Sequence, residues 1–348
     1  MQSRRLLLAF ALLLLVPSLP TASAQVVGGG DQQKLAQTSM KFLAASVDPR
    51  AAALGNAVNT LEMGATSMFY NPAGMAGIDG FGHFAASNMT WIANIDYTQT
   101  SVAVRPSDGA YGTFGLSLRF VDYGNIQGTV RADNDQGYVE TGDVSPSSYS
   151  IGIGYANALT SRISIGGSVK FAQQDLGDSV VNAEGGTRTT QSNTYSTPAF
   201  DFGVRYDTGF RGLTFAMNAR NFSPAVEYEQ NTFELPLMLS MGLSADVLRI
   251  ANPGSDLVEN HSLLITTEGM TPRDLPEQGR LGGEYTFMDI FSVRGGYAFP
   301  FGEVSQEWSL GAGINLSLSE DFSIGADYTF QQQSDFDGVN RVAVDVSF

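Results

Sequence analysis

Two histidines, His83 and His261, are the side chains best suited to acid–base work or metal ligation in this 348-residue chain. Both fall in stretches of alternating apolar residues, so neither a histidine-centred metal cluster nor a Ser-His-Asp arrangement has partners to assemble from. There is no cysteine, which removes disulfides, thiolate metal sites and thiol nucleophiles together. The glycine run in "VVGGGDQQ", residues 26–33, follows a leader and not a buried strand, so it is no dinucleotide-binding loop. Asp133 and Asp135 in "RADNDQGYVE" have the chemistry for weak calcium binding but lack the full loop of ligands, and read as a solvated acidic loop. The sequence therefore predicts no enzyme, no cofactor and no metal. A formal net charge of −16 also makes nucleic acid an unsuitable partner.

The other concentration of special residue types lies between residues 48 and 80. It holds Arg50, Gly55, Gly64 and the turn Asn71, Pro72, Ala73, Gly74 within "MFYNPAGMAG". Asn-Pro followed by glycine favours a tight turn over helix or ladder. What such a turn does depends on the elements around it.

Before it, Arg4 and Arg5 precede an apolar run from Leu6 to Val16, then Pro17, Pro20 and the small triplet Ala22-Ser23-Ala24. That is the pattern of a secretory signal peptide over residues 1–24, cleaved after Ala24. The run is too short to span a bilayer as a helix, and no later stretch is long and apolar enough to do so.

After it, the chain alternates. "RVAVDVSF" puts Val342, Val344, Val346 and Phe348 on one face and Arg341, Ala343, Asp345 and Ser347 on the other. About fourteen segments of roughly ten residues fit this period-2 template, a number within the range of bacterial barrels. They include residues 81–91, 110–122, 162–175, 198–208 and 338–348. Links after even-numbered segments are mostly short, the exception being 251–260. Those after odd-numbered ones include the long polar stretches 122–147 and 175–197, and with 223–235 these are the candidate partner surfaces. Arg119, Lys170, Asp201, Arg205, Arg220, Glu268, Glu284, Arg294, Asp327, Arg341 and Asp345 all fall opposite the large apolar residues. Alternation alone also suits a soluble sandwich with one solvated face. Short turns on one side, long loops on the other and a terminal aromatic favour an all-β, transmembrane antiparallel β-barrel in the cell outer membrane. Val342, Val344, Val346 and Phe348 then form its assembly signal.

The expected domains are the signal peptide (1–24), an Ala- and Gly-rich segment (25–80) and the barrel (81–348). On residue types alone the middle segment is either a plug packed in the lumen or a periplasmic leader. Its run "KFLAASVDPRAAALGNAVNTLEMGATSMFYNPAGMAG" resembles the N-terminal signature of the PorV/PorQ group within the FadL-like outer-membrane proteins. The resemblance rests on Phe42 and Leu43, Arg50 to Gly55, Gly64-Ala65 and Asn71 to Gly74. It implies a hatch folded into a fourteen-stranded barrel, and two kinds of function. PorV-like proteins serve the type IX secretion pathway, with translocon, sortase complex and cargo C-terminal domains as partners besides outer-membrane lipid. FadL-like members instead move hydrophobic small molecules. The signature is nearer the former. The luminal residues named above are small or charged, where a transporter needs large apolar ones clustered near one end, and this too favours the export role.

Overall fold

A computed structural model describes residues 38–182, 188–228, 231–300, 307–333 and 338–348. The expected signal peptide, residues 1–24, and the start of the expected following segment, residues 25–37, lie outside the described residues. Strict alternation from residue 82 onward becomes strand after strand: β1 (Gly82–Thr90), β2 (Asp96–Val104), β3 (Thr113–Asp122), β4 (Ser147–Ala158), β5 (Ile163–Asn182), β6 (Arg188–Asp207) and β7 (Thr214–Phe222). β8 (Met238–Asp246), β9 (His261–Pro272), β10 (Gln278–Phe287), β11 (Phe291–Pro300), β12 (Glu307–Ser319), β13 (Phe322–Gln331) and β14 (Val339–Ser347) complete the wall. Each pairs antiparallel with its neighbours in sequence, and β14 returns to β1 with Ser347 opposite His83 and Asn340 opposite Thr90. The described residues thus form a closed barrel of fourteen strands with no free edge. No described helix is long and apolar enough to cross a membrane.

The two faces of the wall are inverted relative to a soluble protein. On β3, Phe114, Leu116, Leu118 and Phe120 are 43–49% exposed, while Ser117 and Arg119 between them are buried. The same holds around the wall, from Ile151 and Ile153 through Leu239 and Met241 to Val342 and Val344. A continuous apolar outer face is unstable in water and matched to lipid. The charged residues expected to point inward, from Arg119 to Asp345, all lie on the opposite, enclosed face.

Four connections carry more regular structure than plain loops. Residues 175–197 are not a loop: β5 and β6 run 20 residues each, well past the point where β4 and β7 stop pairing with them. This extension carries polar residues on both faces, so the apolar alternation that betrays a half-buried strand is absent there. The stretch 122–147 contains a hairpin, Ile126–Arg131 with Tyr138–Val144, and 223–235 a shorter one, Val226–Tyr228 with Asn231–Phe233. Asp133 and Asp135 sit exposed at the turn of the first hairpin. The link 251–260 falls between and within two short helices, Val247–Ala251 and Leu257–Asn260.

Residues 38–80 form one short helix, α1 (Pro49–Ala53), and 3-10 turns at Lys41–Ala44, Gly64–Phe69 and Pro72–Gly77. Short as these elements are, the stretch around α1 is deeply buried: Val47, Ala51, Ala52, Ala53 and Leu54 are fully inaccessible. α1 touches β11 to β14, whereas Pro72–Gly77 touches β3 to β6 across the barrel. The path begins at the long-loop end, where Thr38 bridges Glu234 and its hydroxyl donates to Asp274 at 2.6 Å. It finishes at the short-turn end, where the Ile78 carbonyl accepts from Arg105 at 3.0 Å.

Candidate functional site: the filled lumen

A segment with so little regular structure leaves its carbonyls to be satisfied by something else. The wall supplies the donors. Arg119 donates to the Phe42 carbonyl at 2.9 Å, Arg205 to Thr60 at 2.9 Å, Arg341 to Ser46 at 3.0 Å, and Arg220 to Phe69. Hydroxyls do the same: Ser309 to Ala52 and Thr329 to Pro49 at 2.6 Å, and Thr266 to Ala57 at 2.7 Å. The charged inward residues are therefore fasteners as well as lumen lining.

The motif residues fall at the contact points. Asp48 caps α1, its carboxylate accepting from the Ala51 amide at 2.9 Å, with Pro49 at the first helical position. Burial pushes the Asp48 carboxyl up to about 6. From the same helix Arg50 donates to both oxygens of Glu284 on β10, at 2.9 and 2.7 Å, a fork-on-fork pair. Glu284 also receives Arg294, which continues to Asp327, so one network ties α1 to β10, β11 and β13. Beside it, Gly55 has φ +62° and lies against the β11 backbone; a Cβ there would be 2.8 Å from the Tyr297 nitrogen. Only glycine meets both demands.

Farther along, the Asn71 side chain accepts from the Ala73 amide at 3.1 Å and donates to Asn59 at 2.8 Å, closing the turn predicted from Asn-Pro. That turn beds into glycines of the wall. A Cβ on Gly166 would be 2.4 Å from the backbone of Pro72 and Ala73, and one on Gly203 1.8 Å from Asn71. Gly74 approaches the Leu61 carbonyl and Ser67. Gly64 lies face-on to the His83 ring. All seven motif residues, from Arg50 to Gly74, thus serve packing of the segment against the wall or its own turns. At the other terminus Val342 and Val344 face outward, and Phe348 exchanges backbone hydrogen bonds with Gly82 at 2.9 and 2.6 Å.

The two ends of the lumen differ in chemistry. Toward the long loops an apolar cluster joins Met40, Phe42, Leu43 and Val47 of the segment to inward-facing Met89, Tyr97, Val121, Ala172, Ala199 and Val339 of six strands. Val226 and Leu235 cover it from the loops, and Trp91, Ile95, Tyr123 and Tyr195 pack around it. Trp91 and Val339 also line a cleft of about 440 Å³ between the β1–β2 turn and β14. Toward the short turns lies a polar cleft of about 230 Å³, lined by Asp48, Arg50, Glu62, Asp79, His83, Arg294, Asp327 and Asp345. Among the described residues no group of three His, Asp or Glu is placed to hold a metal ion.

The apolar cluster corrects the expectation that the lumen offers only small and charged residues. Its wall members come one from each of six strands, so no single strand displays them. Asp48 was also missed, although Asp-Pro before an Ala run is a helix-start signature.

No family model and no curated protein matches the chain. Solved structures do. The chain is similar to the CymD monoaromatic hydrocarbon channel (TM-score 0.55, 12% identity, covering 87% of this chain and 98% of that one). It is similar to the Pseudomonas putida toluene transporter TodX (0.54, 13%, 85% and 96%) and to a Pseudomonas aeruginosa FadL homologue (0.52, 11%, 87% and 98%). At such identities the likeness concerns architecture, and on that ground the chain has the fold of the FadL-like barrels.

Proposed function

We propose that the protein is an outer-membrane transporter of hydrophobic small molecules, exported by a signal peptide cleaved after Ala24, in which residues 25–80 are the hatch and no catalysis takes place. The observation that carries this reading is the inward-facing apolar cluster at the long-loop end. A sealed barrel that only bound proteins by its loops would have no need to line one end of its lumen with Met89, Tyr97, Val121 and Val339. In the described state Met40 and Phe42 of the hatch occupy that surface, and an apolar ligand would meet the same side chains. The cleft lined by Trp91 and Val339 borders the cluster through those two side chains. The fold is similar to that of CymD, a monoaromatic hydrocarbon channel, and of TodX, a toluene transporter.

The resemblance to the PorV/PorQ signature speaks to the hatch more than to cargo. Arg50, Gly55, Gly64 and Asn71 to Gly74 act on the wall and on one another, and a hatch of that design suits a transporter equally well. The export role, with translocon, sortase and cargo domains as partners, is the competing outcome of one experiment. The tagged protein is extracted gently from its native membrane, and everything retained is identified by mass spectrometry. Stoichiometric apolar molecules, lost on Val121→Asn, support the transporter. Recovery of a very large translocon subunit or of exported proteins sharing one C-terminal domain, with no apolar molecule, overturns it.

A further inference from the structure

The polar cleft at the short-turn end contains a histidine used in an unusual way. His83 lies on β1 facing inward, and its ring covers Gly64 so closely that a Cβ on Gly64 would be 2.6–2.7 Å from three ring atoms. Its Nδ1 is 3.2 Å from the backbone nitrogen of Ala65. A backbone N–H can only donate, so Nδ1 must be the bare, accepting nitrogen and the ring must be neutral, with its proton on Nε2. Nε2 in turn faces the Asp345 carboxylate of β14 at 3.6 Å.

We propose that His83 is a pH-operated latch on the segment: the neutral ring holds Ala65 to the wall, and the protonated ring releases it. A second proton on the imidazole can only be placed on Nδ1, where it meets the Ala65 N–H head-on. Turning the ring over would present a carbon to that amide and restore nothing. The same protonation strengthens the contact with Asp345, so the charged ring exchanges a bond to the segment for an ion pair within the wall. Two states with different partners for one ring make a switch, and imidazole is the side chain that changes charge between pH 5 and 8. The other charges facing this cleft are Glu62 and Asp79 of the segment, Arg205, which pairs with Glu62, and the Asp48, Arg50, Arg294 and Asp327 group. Asp48 works in the opposite sense. Burial favours its protonated form, so acid relieves its cost and tightens the segment. The Arg205–Glu62 pair also weakens when Glu62 is protonated, and the His83→Gln comparison below separates its contribution from that of His83. The Ala65 to Ile78 stretch that the latch holds forms its own apolar cluster with Ala103 and Ala156, so release acts on the mouth of the lumen at this end.

A cysteine-free chain allows a clean test. Thr66→Cys places one thiol beside the latch, at a position 5% exposed. Its labelling by a membrane-impermeant thiol reagent is followed on the full-length protein in detergent from pH 7.5 to 5.5, and divided by the rate for the unfolded protein to remove the thiol's own ionisation. The same is done with His83→Gln, whose amide oxygen can accept from Ala65 but cannot gain a proton. Loss of a hydrogen bond of this kind corresponds to about a tenfold rise in labelling toward acid in the Thr66→Cys protein, and no rise when His83→Gln is added. A ratio between the two that stays constant with pH overturns the proposal. Should His83→Gln not fold, Asp345→Asn serves: removing the partner of the charged ring moves the rise to lower pH, and an unmoved rise refutes the latch. Neither readout depends on which molecule is transported.

Discussion

The close fit between the 38–80 segment and the wall can be measured at a single carbon atom. Gly296 on β11 faces inward, and a Cβ added there would be 2.0 Å from the Gly55 nitrogen and 2.4 Å from the Leu54 carbonyl carbon. Carbon contacts settle near roughly 3.5 Å, so Gly296→Ala demands that wall and segment part by about 1.5 Å. Both sides of the clash are backbone and neither can rotate away. One response is to strain in place, for which overpacking typically costs about 1–3 kcal/mol. The other is to lift α1 off the wall. That would break the buried Arg50–Glu284 pair, at about 3–5 kcal/mol, and the Ser309 and Thr329 hydrogen bonds to Ala52 and Pro49, at about 1 kcal/mol each. Straining in place is cheaper, so the variant should keep α1 against the wall and lose about 2–3 kcal/mol. The control is Gly269→Ala on the outward side of β9, where an added Cβ meets nothing within 4 Å. There alanine should be neutral or stabilising by up to about 1 kcal/mol, since glycine is the costlier residue in a strand. Reversible denaturant unfolding in lipid vesicles measures both. Equal stabilities for Gly296→Ala and Gly269→Ala would refute the claim that α1 lies against β11.

Further outcomes follow from the same geometry. Arg50→Met should cost about 2–4 kcal/mol, less than a full buried-pair rupture because Arg294 still faces Glu284, and adding Glu284→Gln should recover part of it in a double-mutant cycle. Asp48 is held near 6 in the fold against about 4 when unfolded, so its contribution is fully present below pH 4 and is lost as pH rises through 6. That amounts to about 3 kcal/mol, and Asp48→Asn, which keeps a capping oxygen, should flatten the stability profile over pH 4–6. Val121→Asn should lower retention of a fluorescent apolar ligand about tenfold or more while leaving the heat-shifted gel mobility of the barrel unchanged, because it buries an amide in the apolar cluster. Deleting Phe348 removes both of its hydrogen bonds to Gly82 at the seam of β14 and β1 and should lower stability in denaturant unfolding by about 1–2 kcal/mol, with a lower folded yield.

The sequence by itself determined the wall. Each strand carries its own evidence, because a period of two is local and the outward face must be apolar along its whole length. Val342, Val344 and Val346 or Phe114, Leu116 and Leu118 announce their side without reference to any other strand. The Asn71–Gly74 turn was legible for the same reason, its geometry being set by Asn-Pro and glycine. Where a strand leaves the wall, as in the outer halves of β5 and β6, both faces meet water and the period disappears from view. Tertiary structure alone decided what the inward residues do. Arg119, Arg205, Arg220 and Arg341 could be seen to face the lumen, but their partners are carbonyls of residues 42 to 69, and a carbonyl has no signature in sequence. Arg50 finds Glu284 across 234 positions, and the apolar cluster gathers Met89, Tyr97 and Val121 of β1 to β3 with Val339, which joins them only when β14 closes on β1. Closure is what turns scattered single residues into a lining.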